Sequence, residues 1–295
     1  MISVVVPCRG HARELQACLG ALTAQAIEWP YEINVVDSAS DPAVAATAAG
    51  FPTVHLIRSP SPLCAGDARN LGAHHAQGRY LAFIDADAIP ELHWLATAVA
   101  GLEQGAVMVG GPILDVLPFH PIAAPDNLLQ FIDFSPGRPD GPATHFASCH
   151  LAVRRSAFGD VGGFPAGMLM GEDIAFTRAV SARWPDRVRF LRQMRVRHLG
   201  RTELRAYWKH QETFGYYRGL LGQHLRPIHQ RLGAWPFMGA AVAGKRFAYV
   251  VRRAAQWHPS ALLRLLVLWP SLLYGLAAFA RGFRCGCQEA AKQRP

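Results

Sequence analysis

Five short apolar, β-branched runs, each followed by a stretch of helical period, occupy the first 112 residues and leave this chain few folds to choose from. The runs fall at 2–6, 32–36, 53–57, 79–84 and 106–110. Between them Leu15, Cys18, Leu19 and Leu22 recur at helical spacing, as do Ala65, Ala68, Leu71 and Gly72 within 64–77. Strands that alternate with helices in this way form βαβ units, so an α/β fold is expected, its sheet mainly parallel and flanked by helices on both faces. A sheet buried on both sides needs strands without polar alternation, and the chain as a whole is 51% hydrophobic and only 17% charged. A length of 295 residues accommodates one large α/β domain and an appendage.

In open parallel sheets, ligands sit beyond the carboxyl ends of the strands. Three polar segments fall there: Pro7-Cys8-Arg9, Asp37-Ser38-Ala39-Ser40 and Asp85-Ala86-Asp87. The third follows the apolar run Tyr80-Leu81-Ala82-Phe83-Ile84 and delivers two carboxylates one residue apart. One can meet a ribose while the other holds a divalent cation that bridges a diphosphate, which is the chemistry of a nucleotide-sugar site. An isolated Asp-x-Asp before Pro90 is also an ordinary turn; the convergence of three polar strand ends favours the functional reading.

Downstream, residues 113–145 are rich in Pro, Gly, Asp and His and are expected to be a long functional loop with a short helix near 127–131. A strand is expected over 146–153, a helix over 172–184, and a strand pair at 187–191 and 193–198. Glu172-Asp173 opens the helix after Gly171. Carboxylates there favour the helix dipole, and one that stays ionised near neutral pH can also take a proton from an attacking hydroxyl. Arg69 offers planar donors for a base or phosphate, and His198 ends a strand where it serves either the core or a metal.

Taken in order, Ser3-Val4-Val5-Val6-Pro7, Val35-Val36-Asp37-Ser38, Ala68-Arg69-Asn70-Leu71-Gly72, Phe83-Ile84-Asp85-Ala86-Asp87, Arg154-Arg155-Ser156-Ala157-Phe158, Val161-Gly162-Gly163-Phe164 and Gly171-Glu172-Asp173 resemble the motifs of family 2 glycosyltransferases with the GT-A fold. The resemblance covers residues 1–215. It implies an inverting transfer from a nucleotide-diphosphate sugar, a UDP-sugar first among them, to a hydroxyl acceptor, with Mg²⁺ or Mn²⁺ on the diphosphate. By the same resemblance Pro7, Arg9, Asp37, Arg69 and Asp85 bind the nucleotide, with Asp85 on the ribose. Asp87 holds the metal with His198 near it, and Asp173, beside Glu172, is the base. Many relatives carry Asp-Asp where this chain has Asp37-Ser38, and a serine brings no second negative charge.

Two other enzyme classes fit less well. A sugar-phosphate nucleotidyltransferase needs a Gly-rich phosphate loop after the first strand, for which Pro7-Cys8-Arg9-Gly10-His11 is a poor candidate, and a dinucleotide oxidoreductase needs Gly-x-Gly-x-x-Gly, which is missing there. A non-enzymatic lipid- or nucleic-acid-binding scaffold would use only the tail.

That tail, 216–295, is expected to be a separate helical region beside a catalytic domain of 1–215. The net charge of +9 arises there, because residues 213–288 hold ten Lys or Arg and no Asp or Glu. Interleaved with Trp, Tyr, Phe and Leu, these charges suit an anionic membrane surface rather than nucleic acid. Residues 265–280 carry no charge, but a straight helix of that length reaches about 24 Å against a hydrocarbon core of ~30 Å, and Pro270 should kink it. A peripheral or re-entrant anchor is expected rather than a clean span. Six cysteines without zinc spacing, and an N-terminus without a basic n-region, suggest the cytoplasmic face of the cell membrane.

Overall fold

The computed structural model describes residues 1–38, 42–225, 235 and 237–292. Ala39 and Ser40, the end of the second polar segment, lie outside the described residues. The chain divides into two compact units. The first comprises Met1–Leu114 and Pro136–Leu199, and the second comprises Asp115–Ser135 and Gly200–Pro295. The boundary therefore falls at 200 instead of 216, since one helix runs unbroken over Leu204–Leu225. Residues 115–135, expected as part of a loop of the catalytic domain, are a section of the second unit.

The first unit alternates β1 (Ile2–Cys8), α1 (Ala12–Thr23), β2 (Tyr31–Ser38), α2 (Pro42–Ala49), β3 (Val54–Ser59), α3 (Ala65–His75) and β4 (Tyr80–Ile84). After β5 (Ala88–Pro90) come α4 (Trp94–Glu103), β6 (Met108–Gly110) and β7 (Ile113–Asp115). Helix α5 (Ala123–Phe131) belongs to the second unit. The chain then returns through β8 (Gly141–Pro142), β9 (His150–Arg154), α6 (Arg155–Asp160), α7 (Glu172–Arg183), β10 (Val188–Phe190) and β11 (Val196–His198). The main sheet has the order β3-β2-β1-β4-β9-β6-β10-β8. Strands β3, β2, β1 and β4 are parallel, β9 runs against both its neighbours, and β8 runs against β10. A small sheet, β5-β11-β7, stands apart, so the strands near 187–191 and 193–198 enter different sheets and do not pair.

Burial explains the central strands. Ile2, Val4, Val5 and Val6 are fully buried because helices cover both faces of β1. The one polar residue among them, Ser3, donates to Glu32 and accepts from the backbone N–H of Gly78 at 2.7 Å. Helix α3 comes down on the sheet at Gly72, where any Cβ would collide with Val5 and Val36.

The second unit adds α8 (Leu204–Leu225), α9 (Met238–Trp257), α10 (Pro259–Val267) and α11 (Trp269–Lys292) to α5. Leu128, Leu129, Ile132, Tyr207, Val250, Leu265, Leu272, Leu276 and Phe279 form its core. Helices α8 and α11 touch backbone to backbone: a Cβ on Gly215 or Gly219 would strike the carbonyls of Phe279 and Phe283, and one on Gly282 or Gly286 those of Glu212 and Tyr216. The apolar run of 265–280 breaks at Leu268, two residues before Pro270, and α10 and α11 meet at 86°. Among the described residues no single helix is long and apolar enough to cross a membrane.

Candidate active site

The Asp-x-Asp segment leaves the end of β4, and two neighbouring strands fix what surrounds it. Antiparallel pairing sets His150 of β9 opposite Ile84, so that Ser148 and Cys149 run alongside Asp85. His150 is locked in place, its Nδ1 accepting from Trp94 Nε1 at 2.9 Å and its Nε2 donating to the Met194 carbonyl at 2.8 Å. Burial drives its pKa down to about 3, so the ring is neutral at any working pH. In the small sheet, β11 pairs with β5 so that His198 lies opposite Ala88, and Leu199 N–H donates to the Asp87 carbonyl at 3.1 Å. This brings His198 Nε2 to 3.6 Å from Asp87 Oδ2.

A buried guanidinium joins the first aspartate to the helix that carries the other carboxylates. Arg69, only 3% exposed, donates to Asp85 at 2.6 Å and to Glu172 at 3.0 Å. Burial opposes its charge, and Asp85 and Glu172 outweigh that cost. The arginine is thus held by two protein carboxylates, while its buried Nε has no hydrogen-bond partner among the described residues. Next to it, Asn70 clamps the backbone of Phe164, accepting from its N–H at 2.9 Å and donating to its carbonyl at 2.8 Å. Gly163, at φ 72°, lets that loop approach, for a Cβ there would meet Asn70 Oδ1 at 2.7 Å. Phe164 packs against Phe83, Phe158 and Phe176, a cluster that seats the first turn of α7.

Helix α7 begins after Gly171, whose φ of 88° suits the left-handed turn. Glu172 is buried on Arg69. Asp173 is half-buried, and its carboxylate accepts from Ile174 N–H at 2.7 Å. Burial first, and the negative charge of Glu172 second, push its pKa up to about 6, although the backbone N–H groups of Ile174 and Ser148 and the charge of Arg69 work against this. It is therefore ionised at pH 7 yet basic for a carboxylate, a poise suited to accepting a proton. Cys149 lies within reach of the same charges. Burial, Asp85 and Asp87 hold its thiol protonated, well above the usual range.

Asp37, next to last in β2, is fully buried, with Arg58 Nε 3.6 Å from its carboxylate. Ser38 is consumed by the backbone of Leu63, accepting from its N–H at 2.6 Å and donating to its carbonyl at 3.2 Å. The residue that replaces a second aspartate therefore anchors a loop. Pro7 and the exposed Arg9 stand at the end of β1, beside β2 and β4. The structure thus brings together Asp85, Asp87, Arg69, Glu172, Asp173 and His198. The sequence reading placed Asn70 and Phe164 in motifs without giving them a role, and it missed the Trp94–His150 pair. An amide inside a helix beside Arg69, four phenylalanines and a histidine in an apolar strand were the available signals.

The model of the family described as Glycosyl transferase family 2 matches residues 3–162. A Haloferax volcanii protein, Glycosyltransferase AglE, is 28% identical over 183 residues, 60% of either chain. The Pre-mycofactocin glycosyltransferase of Mycobacterium tuberculosis is 26% identical over 222 residues, 72% of this chain and 46% of that one. The chain thus aligns with about half to three fifths of the length of these relatives. Among solved structures, the mannosyltransferase PcManGT from Pyrobaculum calidifontis, in complex with GDP-Man and Mn²⁺, superposes with a TM-score of 0.60 at 19% identity, covering 99% of this chain and 87% of that one. S. aureus TarS in complex with UDP-GlcNAc gives 0.58 at 16% identity, covering 99% and 91%. The architecture is therefore the expected GT-A fold, with its carboxylates gathered at the strand ends. With the family model matching more than half of the sequence, the chain belongs to glycosyl transferase family 2.

Proposed function

We propose that this protein is an inverting glycosyltransferase that moves a sugar from a nucleotide-diphosphate sugar to a hydroxyl acceptor at the cytoplasmic face of a membrane, with Mg²⁺ or Mn²⁺ as cofactor. The observation that carries the reading is the poised Asp173 on the same buried arginine network as Asp85. Asp173 takes the proton of the acceptor hydroxyl as its oxygen attacks the sugar carbon in line with the leaving diphosphate. One such displacement inverts the anomeric centre. Glu172 and Arg69 hold the first turn of α7 against Asp85, so the base and the ribose-binding carboxylate keep a fixed separation. Asp37 and the backbone around Pro7 and Arg9 receive the nucleotide.

The residues present fit a divalent cation. Asp85, Glu172 and Asp173 act on one guanidinium and Asp87 lies beside His198, and an anionic diphosphate enters such a site only with added positive charge. Asp87 and His198 would hold the ion, which supplies charge neutralisation for the leaving diphosphate when bound. Among the described residues no group of three or more His, Cys, Asp or Glu could hold a metal by itself. Mg²⁺ or Mn²⁺ held by one or two side chains, with phosphate and water completing the shell, needs no such group. The relatives with bound GDP-Man and Mn²⁺, and with UDP-GlcNAc, support a nucleotide-sugar donor. Thermal unfolding of the purified protein against UDP-, GDP- and dTDP-sugars with Mn²⁺ tests this. One donor should raise the midpoint in wild type and not in Asp87→Ala, and chelation should abolish its turnover. Undiminished turnover in excess chelator would refute the metal-dependent mechanism.

A further inference from the structure

Helices α10 and α11 meet at a corner that is apolar on both sides. Their inner faces, Ala261, Leu265, Leu272, Leu276 and Phe279, already complete the core of the second unit. Their outer faces present Leu263, Leu266, Val267, Trp269 and Leu273, between 55% and 72% exposed. The one charge in this stretch, Arg264, is turned inward, buried on Asp115 and donating to His258. Helices apolar all round belong in an apolar medium, and here only half of the surface has found one.

We infer that this corner is a wedge that lies in the plane of an anionic lipid bilayer and inserts to the depth of the headgroups. The inference rests on the reading of a transferase that works at a membrane and names the surface that meets it. Charge selects the occupant. The second unit holds fifteen Lys or Arg and six Asp or Glu, so it carries all of the net +9, and the first unit is neutral. A second copy of the chain would bring the same positive charge to the face, whereas an anionic surface attracts it. The exposed stripe of α11 runs from Trp269 and Leu273 through Ala277 to the exposed Arg281 and Arg284, apolar where it would enter and basic where it would leave. Geometry selects the depth. The nine residues of α10 reach about 13 Å against a core of ~30 Å, and the 86° turn to α11 keeps the two helices from forming one straight span.

Flotation of the full-length protein with vesicles of phosphatidylcholine, with and without phosphatidylglycerol, tests this directly, with no donor or acceptor present. Binding should require the anionic lipid at physiological salt and fall roughly tenfold or more in the double variant Leu266→Asp/Trp269→Asp. Circular dichroism should be unchanged, since both residues are exposed. Lipids brominated near the headgroup should quench tryptophan fluorescence more than lipids brominated at the chain ends, and Trp269→Phe should remove most of that difference. Failure to bind with the fold intact, or strongest quenching at the chain ends, overturns the wedge. So does wild-type self-association that the double variant abolishes. Donor-induced thermal shift and donor hydrolysis should survive the double variant. Their loss in wild type would instead refute the transferase reading, leaving vesicle binding as a separate result.

Discussion

Asp173 is the residue whose environment departs most from that of an exposed carboxylate in a direction useful for catalysis. Its pKa rises from 3.8 to about 6, so the folded chain binds a proton more tightly than the unfolded chain. Stability from this group is complete below 3.8 and is lost as pH rises through about 6, which means that the ionised base strains the protein at neutral pH. Asp173→Asn should therefore lower turnover roughly 10²-fold or more while raising stability at pH 7 by on the order of 1–3 kcal/mol, with unchanged stability near pH 3. Steady-state kinetics and thermal unfolding at the two pH values check both halves. The wild-type rate should fall about tenfold per unit below pH 6. A variant with normal turnover would leave Asp173 as a mere helix-capping residue. The acidic residues of this site were legible because each stands at a strand or helix end with a characteristic neighbour. The burial of Arg69 between two carboxylates, from β4 and α7, was not, because a guanidinium in a sequence carries no sign of which partners the fold will bring to it.

Elements were read with similar unevenness. The five runs expected as strands are strands because β-branched residues without polar alternation satisfy a sheet buried on both sides, as Ile2, Val4, Val5 and Val6 show. The antiparallel entry of β9 between β4 and β6 escaped the pattern, since local periodicity says nothing about direction. The glycine seam between α8 and α11 escaped too: Gly215, Gly219, Gly282 and Gly286 look like helix breakers until two backbones meet over them. Gly282→Ala should force these helices apart and cost roughly 1–3 kcal/mol, measured by chemical denaturation. Gly244→Ala, on α9 where a Cβ meets nothing within 4 Å, should be neutral or stabilise by up to about 1 kcal/mol. Equal effects of the two substitutions would remove the seam as a determinant of packing.

The division of the whole molecule was the least legible feature. The expected cut at 215 passes through α8 and discards α9, α10 and α11, whose Val250, Leu265, Leu272 and Leu276 cover Leu128, Leu129 and Ile132 around α5. A chain ended at 215 should therefore aggregate, and sedimentation after expression measures it; a monodisperse folded product would show that residues 115–135 need no later partner. The same interleaving sets the order in which the protein can be made. Helix α5 emerges from the ribosome long before the helices that bury it, and the first unit must wait for β10 and β11 at 188–198. The first unit can close once residue 199 has been made, whereas the second waits for α11, so α5 is the segment a chaperone at the ribosomal exit would find uncovered for longest.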